Sequence, residues 1–157
     1  MAQRKQLQAG FTLVELVIVI LILGILSAVA LPRFVNLGVD ARKAKAEAIF
    51  GAVRAASQIV RATALVQNVT GAAGSVTLDG QAVVTAFGYP DATATGIVVA
   101  AGITNVGADD KVTIAVPAAG QLTITVNNAT AAANCRITYN AATAGAAASA
   151  TLDESNC

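Results

Sequence analysis

The sequence has no histidine and no tryptophan, and charged side chains make up only 12% of its 157 residues. Without histidine, the chain cannot build a histidine–carboxylate proton relay, a histidine-activated nucleophile or a histidine metal site. Neither a nucleophile–base pair nor a phosphate-binding glycine loop is recognisable in the remaining sequence. We therefore expect a protein that is not an enzyme and that needs no cofactor or metal ion.

An excess of charge of one sign is also missing. The chain has ten basic and nine acidic residues, which gives a formal net charge of +1. Proteins that bind nucleic acid through phosphate contacts usually carry a basic patch or a clear basic excess. The charge balance therefore gives no reason to expect a nucleic-acid partner.

The feature that stands out is a long apolar run near the N-terminus. Between Phe11 and Leu31 the only charged residue is Glu15. As a helix this run is about 31 Å long, which matches the hydrocarbon thickness of a bilayer. Arg4 and Lys5 precede it, and the positive-inside tendency places that short end in the cytoplasm. We expect a single-pass helix whose long C-terminal part lies outside the cytoplasm.

Two cleavage sites are compatible with this run. Ala28-Val29-Ala30 resembles the small-residue end of an ordinary secretory signal, and cleavage after it leaves a soluble secreted domain. Ala9-Gly10 places small residues before the apolar run instead. Cleavage there removes only the basic leader and leaves the helix with a free amine on Phe11.

The second cleavage site gives Glu15 a role. A carboxylate deep in a bilayer costs on the order of 3 kcal/mol on insertion scales, and less near the end of a helix. An amine on Phe11 lies four residues before Glu15, so the two groups can meet on one helix face. They can also meet between two staggered chains, where an ion pair in hydrocarbon sets the axial register.

These residues resemble a known family. The motif G-F-T-L-V-E-L at 10–16, the apolar helix and A-L-P-R-F at 30–34 are similar to the class III signal of type IV pilins and pseudopilins. The resemblance implies that a prepilin peptidase cuts between Gly10 and Phe11 and N-methylates Phe11. It also implies that Glu15 contacts the Phe11 amine of a neighbouring subunit in a helical filament.

The chain divides into four predicted parts: a leader at 1–10, a transmembrane and polymerisation helix at 11–31, an amphipathic continuation at 32–67 and a β-rich head at 68–157. Pro32, at the family's kink position, should bend or interrupt the helix. The continuation carries an apolar stripe on one face and charges on another, which we interpret as solvated or, alternatively, as intersubunit contacts. The stripe consists of Ala46, Ile49, Val53, Ala56, Val60 and Ala64, and the polar face of Glu47, Arg54, Gln58 and Arg61.

The head is predicted to be an antiparallel sheet that packs on this stripe, which gives an α+β pilin fold. Asp79-Gly80 suits a type I′ turn between strands at 76–78 and 81–84. Alternating apolar residues predict a hairpin at 111–116 and 121–127 with a connector at 117–120, and a third strand at 135–139. An interruption of regular secondary structure at 88–90 and a short helix at 92–101 complete the expected elements.

Cys135 and Cys157 are the two cysteines, and in an exported domain they are most simply one disulfide; two free thiols are the alternative. On the chain-entropy model such a bond stabilises by roughly 3 kcal/mol. The pair resembles the disulfide-bounded C-terminal region of type IV pilins, which is surface-exposed in assembled pili. In a pilin we expect a precursor in the inner membrane and then an extracellular fibre.

Short motifs in the second half resemble one pilin subgroup, the mannose-sensitive haemagglutinin pilins. They are Gly88-Tyr89-Pro90, the stretch 92–97 and Cys135-Arg136-Ile137-Thr138-Tyr139. This resemblance implies attachment and haemagglutination, with host or surface glycans as partners besides the chain itself, the prepilin peptidase and the pilus assembly machinery.

Two other functions stay open. One is a pseudopilin of a type II secretion system, in which a calcium site often replaces the disulfide. The acidic candidates for such a site are Asp109, Asp110, Asp153 and Glu154. Two separate acidic pairs are, however, more typical of solvated loops. The other is an enzyme or a soluble secreted binding module that is released by cleavage after Ala30.

Glu15→Ala is the first test of the register role. The variant should still insert and be cleaved, because the leader and the apolar run are unchanged, but it should assemble poorly because the ion pair between subunits is lost. Electron microscopy of surface fibres, with mass spectrometry of the processed chain, measures both steps. Normal fibres from this variant would remove the role assigned to Glu15.

Overall fold

The computed structural model describes residues 11–104, 106–107, 112–129 and 134–157, with the backbone alone described at 32–36. Helix α1 spans Leu13–Val66 and is followed in the described residues by strands β1 to β7. The chain forms two compact units that divide after Gly38.

The first unit contains the apolar stretch of α1. Leu13–Leu31 is a run of 19 residues with a mean hydropathy of 2.9, and none of it is buried within the chain. By length and composition it is able to cross a membrane. The helix is continuous through Pro32, so the proline does not interrupt it. The alternative, a bend at Pro32, stays a prediction.

In the second unit, residues 39–66 of α1 bury the predicted stripe. Ala46, Val53, Val60 and Ala64 are fully buried and Ala56 is nearly so. Their three- and four-residue spacing keeps them on one side of the helix. The stretch Leu37–Val66 is also long and apolar enough to cross a membrane, but its buried stripe belongs to the hydrophobic core of the second unit.

The first sheet has the order β1-β2-β3, all antiparallel. Strands β1, Gly74–Leu78, and β2, Gln81–Ala86, form the predicted hairpin. Asp79 and Gly80 both have positive φ, at 48° and 78°, as a type I′ turn requires. The interruption expected at 88–90 is only partly correct. A second turn with positive φ lies at Phe87-Gly88, but the next two residues form strand β3, Tyr89–Pro90, which pairs with β2.

The second sheet has the order β4-β5-β6-β7, also antiparallel. Its strands are β4, Val112–Ala118, β5, Gln121–Val126, β6, Arg136–Asn140, and β7, Ser149–Asp153. The hairpin and the third strand are confirmed. The turn consists of residues 119–120 and is shorter than the predicted connector at 117–120. Strand β7 was not predicted, because its sequence SATLD lacks alternating apolar bulk.

Two local expectations need correction. The alternation in the predicted strand 111–116 places Val112, Ile114 and Val116 on one apolar face. Val116 is nevertheless 56% exposed, because the β4–β5 register shifts between Ala115 and Ala118. The helix expected at 92–101 is a short helical segment, Ala94–Val98, continued only to residue 100. It is broken by non-helical angles at Gly96, where a side chain would collide with the backbone of Asp91.

The stripe on α1 packs against both sheets rather than one. Ala46, Val53 and Ala56 belong to a core cluster with buried residues of the four-stranded sheet, namely Val112, Leu122, Ile124, Val126, Ile137 and Tyr139. Val60 and Ala64 belong to a second cluster with Val76 and Val83 of the three-stranded sheet. Successive turns of one helix therefore support two separate sheets.

A buried tyrosine links the two sheets directly. The Tyr139 hydroxyl on β6 donates a hydrogen bond to the Pro90 carbonyl on β3 at 2.7 Å. Burial raises the pKa of Tyr139 to about 12, since the phenolate is poorly solvated there. The side chain stays neutral and continues to donate over the whole physiological range.

Tyr139→Phe should lower the free energy of unfolding by about 1 kcal/mol, because the Pro90 carbonyl loses its partner. The raised pKa adds a pH signature: wild-type stability contributed by Tyr139 is complete below the ordinary value of 10.0 and is lost as the pH rises toward about 12. The variant should lose less stability across that window. Urea unfolding at a series of alkaline pH values measures this; parallel curves for both proteins would contradict it.

Candidate functional site

The N-terminal end of α1 is organised by a capping box. Glu15 Oε2 accepts hydrogen bonds from the Thr12 backbone N–H at 3.0 Å and from the Thr12 hydroxyl at 2.7 Å. In return, the Glu15 backbone N–H donates to Thr12 Oγ1 at 3.3 Å. This reciprocal pair satisfies amide groups that the first helical turn leaves free. The Thr12-x-x-Glu15 pattern that signals it was readable in the sequence but was missed.

The capping box also positions the charge of Glu15. Its carboxylate lies at the positive end of the helix dipole, which favours an anion. Its hydrogen-bond donor Thr12 directly follows Phe11, whose side chain is 93% exposed. The residue that donates to the carboxylate is thus the direct neighbour of Phe11, whose nitrogen cleavage would convert to an amine. Gly10 lies outside the described residues, so the cleavage and register roles stay predictions.

The disulfide is confirmed: Cys135 and Cys157 are bonded, with a Cα–Cα distance of 4.8 Å, and both are buried. Neither cysteine is free. The bond encloses β6, β7 and the segment 141–148 between them. The Arg42 Nε–H of α1 donates to the Cys157 carbonyl, so the disulfide region is attached to the helix as well as to the sheet.

Polar residues on α1 are less uniformly solvated than expected. Arg54 and Gln58 are exposed, but Arg61 is half-buried. The Arg61 guanidinium lies over the Tyr89 ring, 4.8 Å from its centroid, and donates to the Phe87 carbonyl at 2.9 Å. The interpretation as a plain solvated face is therefore wrong for Arg61.

The acidic candidates for calcium do not form a site in the described residues. Asp153 accepts hydrogen bonds from the Ser155 hydroxyl at 2.8 Å and the Ser155 backbone N–H at 3.1 Å. These bonds hold its pKa below the ordinary value. No cluster of three or more potential metal-ligating side chains occurs in the described part of the chain. Asp109 and Asp110 lie outside it.

Comparison with known proteins agrees with the N-terminal geometry. Residues 5–31 match the family model described as the prokaryotic N-terminal methylation motif. The chain is 56% identical over 50 residues to the type IV narrow pilus major component PilA5 of Thermus thermophilus, which covers 32% of this chain and 43% of that protein. No solved structure matches significantly.

Shorter matches involve two fimbrial proteins. The chain is 59% identical over 32 residues to the type IV major fimbrial protein FimA of Dichelobacter nodosus, covering 20% of each chain. It is 67% identical over 30 residues to the fimbrial protein EcpC of Eikenella corrodens, covering 19% of this chain and 20% of the relative. The chain thus spans less than half the length of these curated relatives.

The fold and the comparisons define a class. A long apolar N-terminal helix, antiparallel sheets and the C-terminal disulfide make an α+β pilin-like fold. The N-methylation motif at its start is shared with type IV pilins, which are structural subunits and not enzymes. The matched family model covers only residues 5–31, so it says nothing about the subgroup to which the head belongs.

Cys157→Ser should lower the free energy of unfolding by roughly 3 kcal/mol on the chain-entropy model, because the disulfide loop becomes free in the unfolded chain. Thermal unfolding of the wild type with and without reductant measures the same effect independently. Cys135→Ser is the matched control and should give the same loss, since each variant removes one shared bond. An unchanged unfolding midpoint in both redox states would make the disulfide irrelevant to stability.

Proposed function

We propose that the protein is the structural subunit of a type IV pilus. A prepilin peptidase cuts between Gly10 and Phe11, Phe11 is N-methylated, and subunits polymerise into a helical surface fibre. The observation that carries the proposal is the unburied apolar stretch Leu13–Leu31, whose single carboxylate, Glu15, lies near its start. The whole stretch lies within residues 5–31, which match the N-terminal methylation motif.

The exposed apolar stretch requires a partner outside the chain. At roughly 25 cal/mol per Å² of apolar surface, leaving so many large side chains in water is strongly unfavourable. Lipid covers them in the precursor, and the helices of neighbouring subunits cover them in the fibre. Glu15 sets the axial register between subunits. Its carboxylate pairs with the Phe11 amine of a neighbour at one axial offset only, and at other offsets the buried carboxylate is unpaired, which is unfavourable.

The proposed parts of the chain follow from this assembly. Residues 1–10 are the leader, 11–31 the transmembrane and polymerisation helix, 32–67 its amphipathic continuation and 68–157 the head. Precursors lie in the inner membrane with the head outside the cytoplasm, and the pilus assembly machinery extracts them into the fibre. A bend at Pro32 adapts the helix to its neighbours.

We assign attachment, including haemagglutination, to the assembled fibre. The support is the resemblance of the head to mannose-sensitive haemagglutinin pilins, at Gly88-Tyr89-Pro90 and at 135–139. The enclosed segment Thr143–Ala147 is exposed and held in place by the disulfide region around it. Host or surface glycans are the proposed ligands.

The alternative is a pseudopilin of a type II secretion system. The disulfide favours the pilin, because the resemblance implies that many pseudopilins have a calcium site in place of this disulfide. The curated relatives are also named as pilus and fimbrial components.

Mass spectrometry of the N-terminal peptide, from protein purified out of cell-surface material, tests the processing. An N-methylated Phe11 start is the expected result. A start at Leu31 would mean ordinary secretion, and the filament proposal would fall with it. Electron microscopy of the same cells then separates long surface fibres, which the pilus proposal expects, from an absence of fibres combined with a secretion defect on deletion, which the pseudopilin alternative expects.

A further inference from the structure

A groove runs along one side of the head between α1 and the segment 143–150. It consists of two clefts of about 290 and 250 Å³. Arg54 and Gln58 line the first cleft and Arg61 the second, so consecutive turns of one helix face form the first wall. The other wall is a single stretch of chain, with residues 143–147 at the second cleft and 148–150 at the first.

Each cleft contains an arginine whose guanidinium lies over an aromatic ring. Arg61 lies over Tyr89 and donates one N–H to the Phe87 carbonyl, while Arg54 lies 5.6 Å from the Phe50 centroid. Gly88 is necessary for this arrangement, because a side chain there would collide with the Arg61 guanidinium. Each ring faces one side of a guanidinium, and a guanidinium donates its N–H groups in its own plane, away from the ring.

The groove is positively charged and lined with hydrogen-bonding groups. Neither arginine has a carboxylate partner among the described residues, and no acidic residue lines either cleft. Ser57, Gln58 and Ser149 in the first cleft and Thr143 in the second add hydroxyl and amide groups to the lining. Seven residues separate the arginines, which places them about 10 Å apart along the helix.

The opposite wall consists of a hydrogen-bonded turn and mostly small side chains. Paired backbone hydrogen bonds between Thr143 and Ala146, at 3.0 and 3.1 Å, close a tight turn there. Asn140 donates to Ser149 Oγ at 3.3 Å, which holds that side chain and leaves its own O–H available. Alanine and glycine otherwise dominate this wall, so it has no pockets for the side chains of a peptide.

We infer that this groove binds an acidic oligosaccharide, with sugar carboxylates on Arg54 and Arg61 and sugar hydroxyls on the polar groups between them. In-plane arginine N–H groups match a carboxylate in a bidentate geometry. Rigid rings rich in hydroxyls suit a shallow groove with small side chains. The inference rests on the proposed pilus function, to which it adds a ligand class and a location.

The test uses the full-length chain in detergent micelles and isothermal titration with tetragalacturonate, an oligosaccharide with one carboxylate per sugar. Wild type should bind it and should fail to bind the fully methyl-esterified form, which has the same shape without charge. Arg54→Gln and Arg61→Gln should each weaken binding about tenfold, the usual effect of losing a charged hydrogen bond. Arg136→Gln, which removes a charge from exposed β6, should leave binding unchanged.

Because Arg61→Gln also removes a packing contact, Ala147→Asp is a second variant at an exposed position of the opposite wall. The new carboxylate should abolish binding, whereas the isosteric Ala147→Asn should retain it. Absence of wild-type binding, equal binding of the methyl ester, or equal losses in Arg136→Gln and the groove variants would overturn the inference. Fibres that form normally from a subunit that binds no tetragalacturonate would refute this site and leave the proposed pilus function intact.

Discussion

The apolar surface of helix α1 is the constraint on which the rest of the molecule depends. Over residues 39–66 the chain covers that surface itself, with two sheets that pack on successive turns. Over Leu13–Leu31 the chain provides no cover at all. The second half of the helix thus stabilises the folded head. In the proposed fibre its first half joins subunits, and lipid or other helices cover the apolar side chains there.

The head compensates for a sequence that is rich in small residues. Alanine and glycine bury little apolar area, so the packing of the sheets is supplemented by specific bonds. The Tyr139 hydroxyl joins the sheets through Pro90, and the Cys135–Cys157 bond and Arg42 hold the last strand region against β6 and α1. These attachments let an exposed segment with almost no apolar bulk keep a defined shape, which a binding surface requires.

Local sequence signals predicted the elements whose physics is local. The Asp79-Gly80 turn, the apolar stripe on α1 and the alternation in β5 and β6 all appeared as expected, because turn angles and side-chain periodicity depend on neighbouring residues. Strand β7 was missed since its pairing with β6 gives it a structure that its own residues do not specify. Val116 was placed on the wrong face because a register shift is a property of two strands together.

The sequence by itself determined the processing motif, the apolar helix with its one carboxylate and the cysteine pair, because each is a matter of residue type and spacing along the chain. Only the tertiary structure decided that one stripe supports two sheets and that Arg54 and Arg61 face the segment 143–150 across a groove. Those residues are far apart in sequence, and their proximity follows from the order of the strands in the sheet, which leaves no pattern in the local sequence. The acidic-oligosaccharide site is therefore visible only in the folded head.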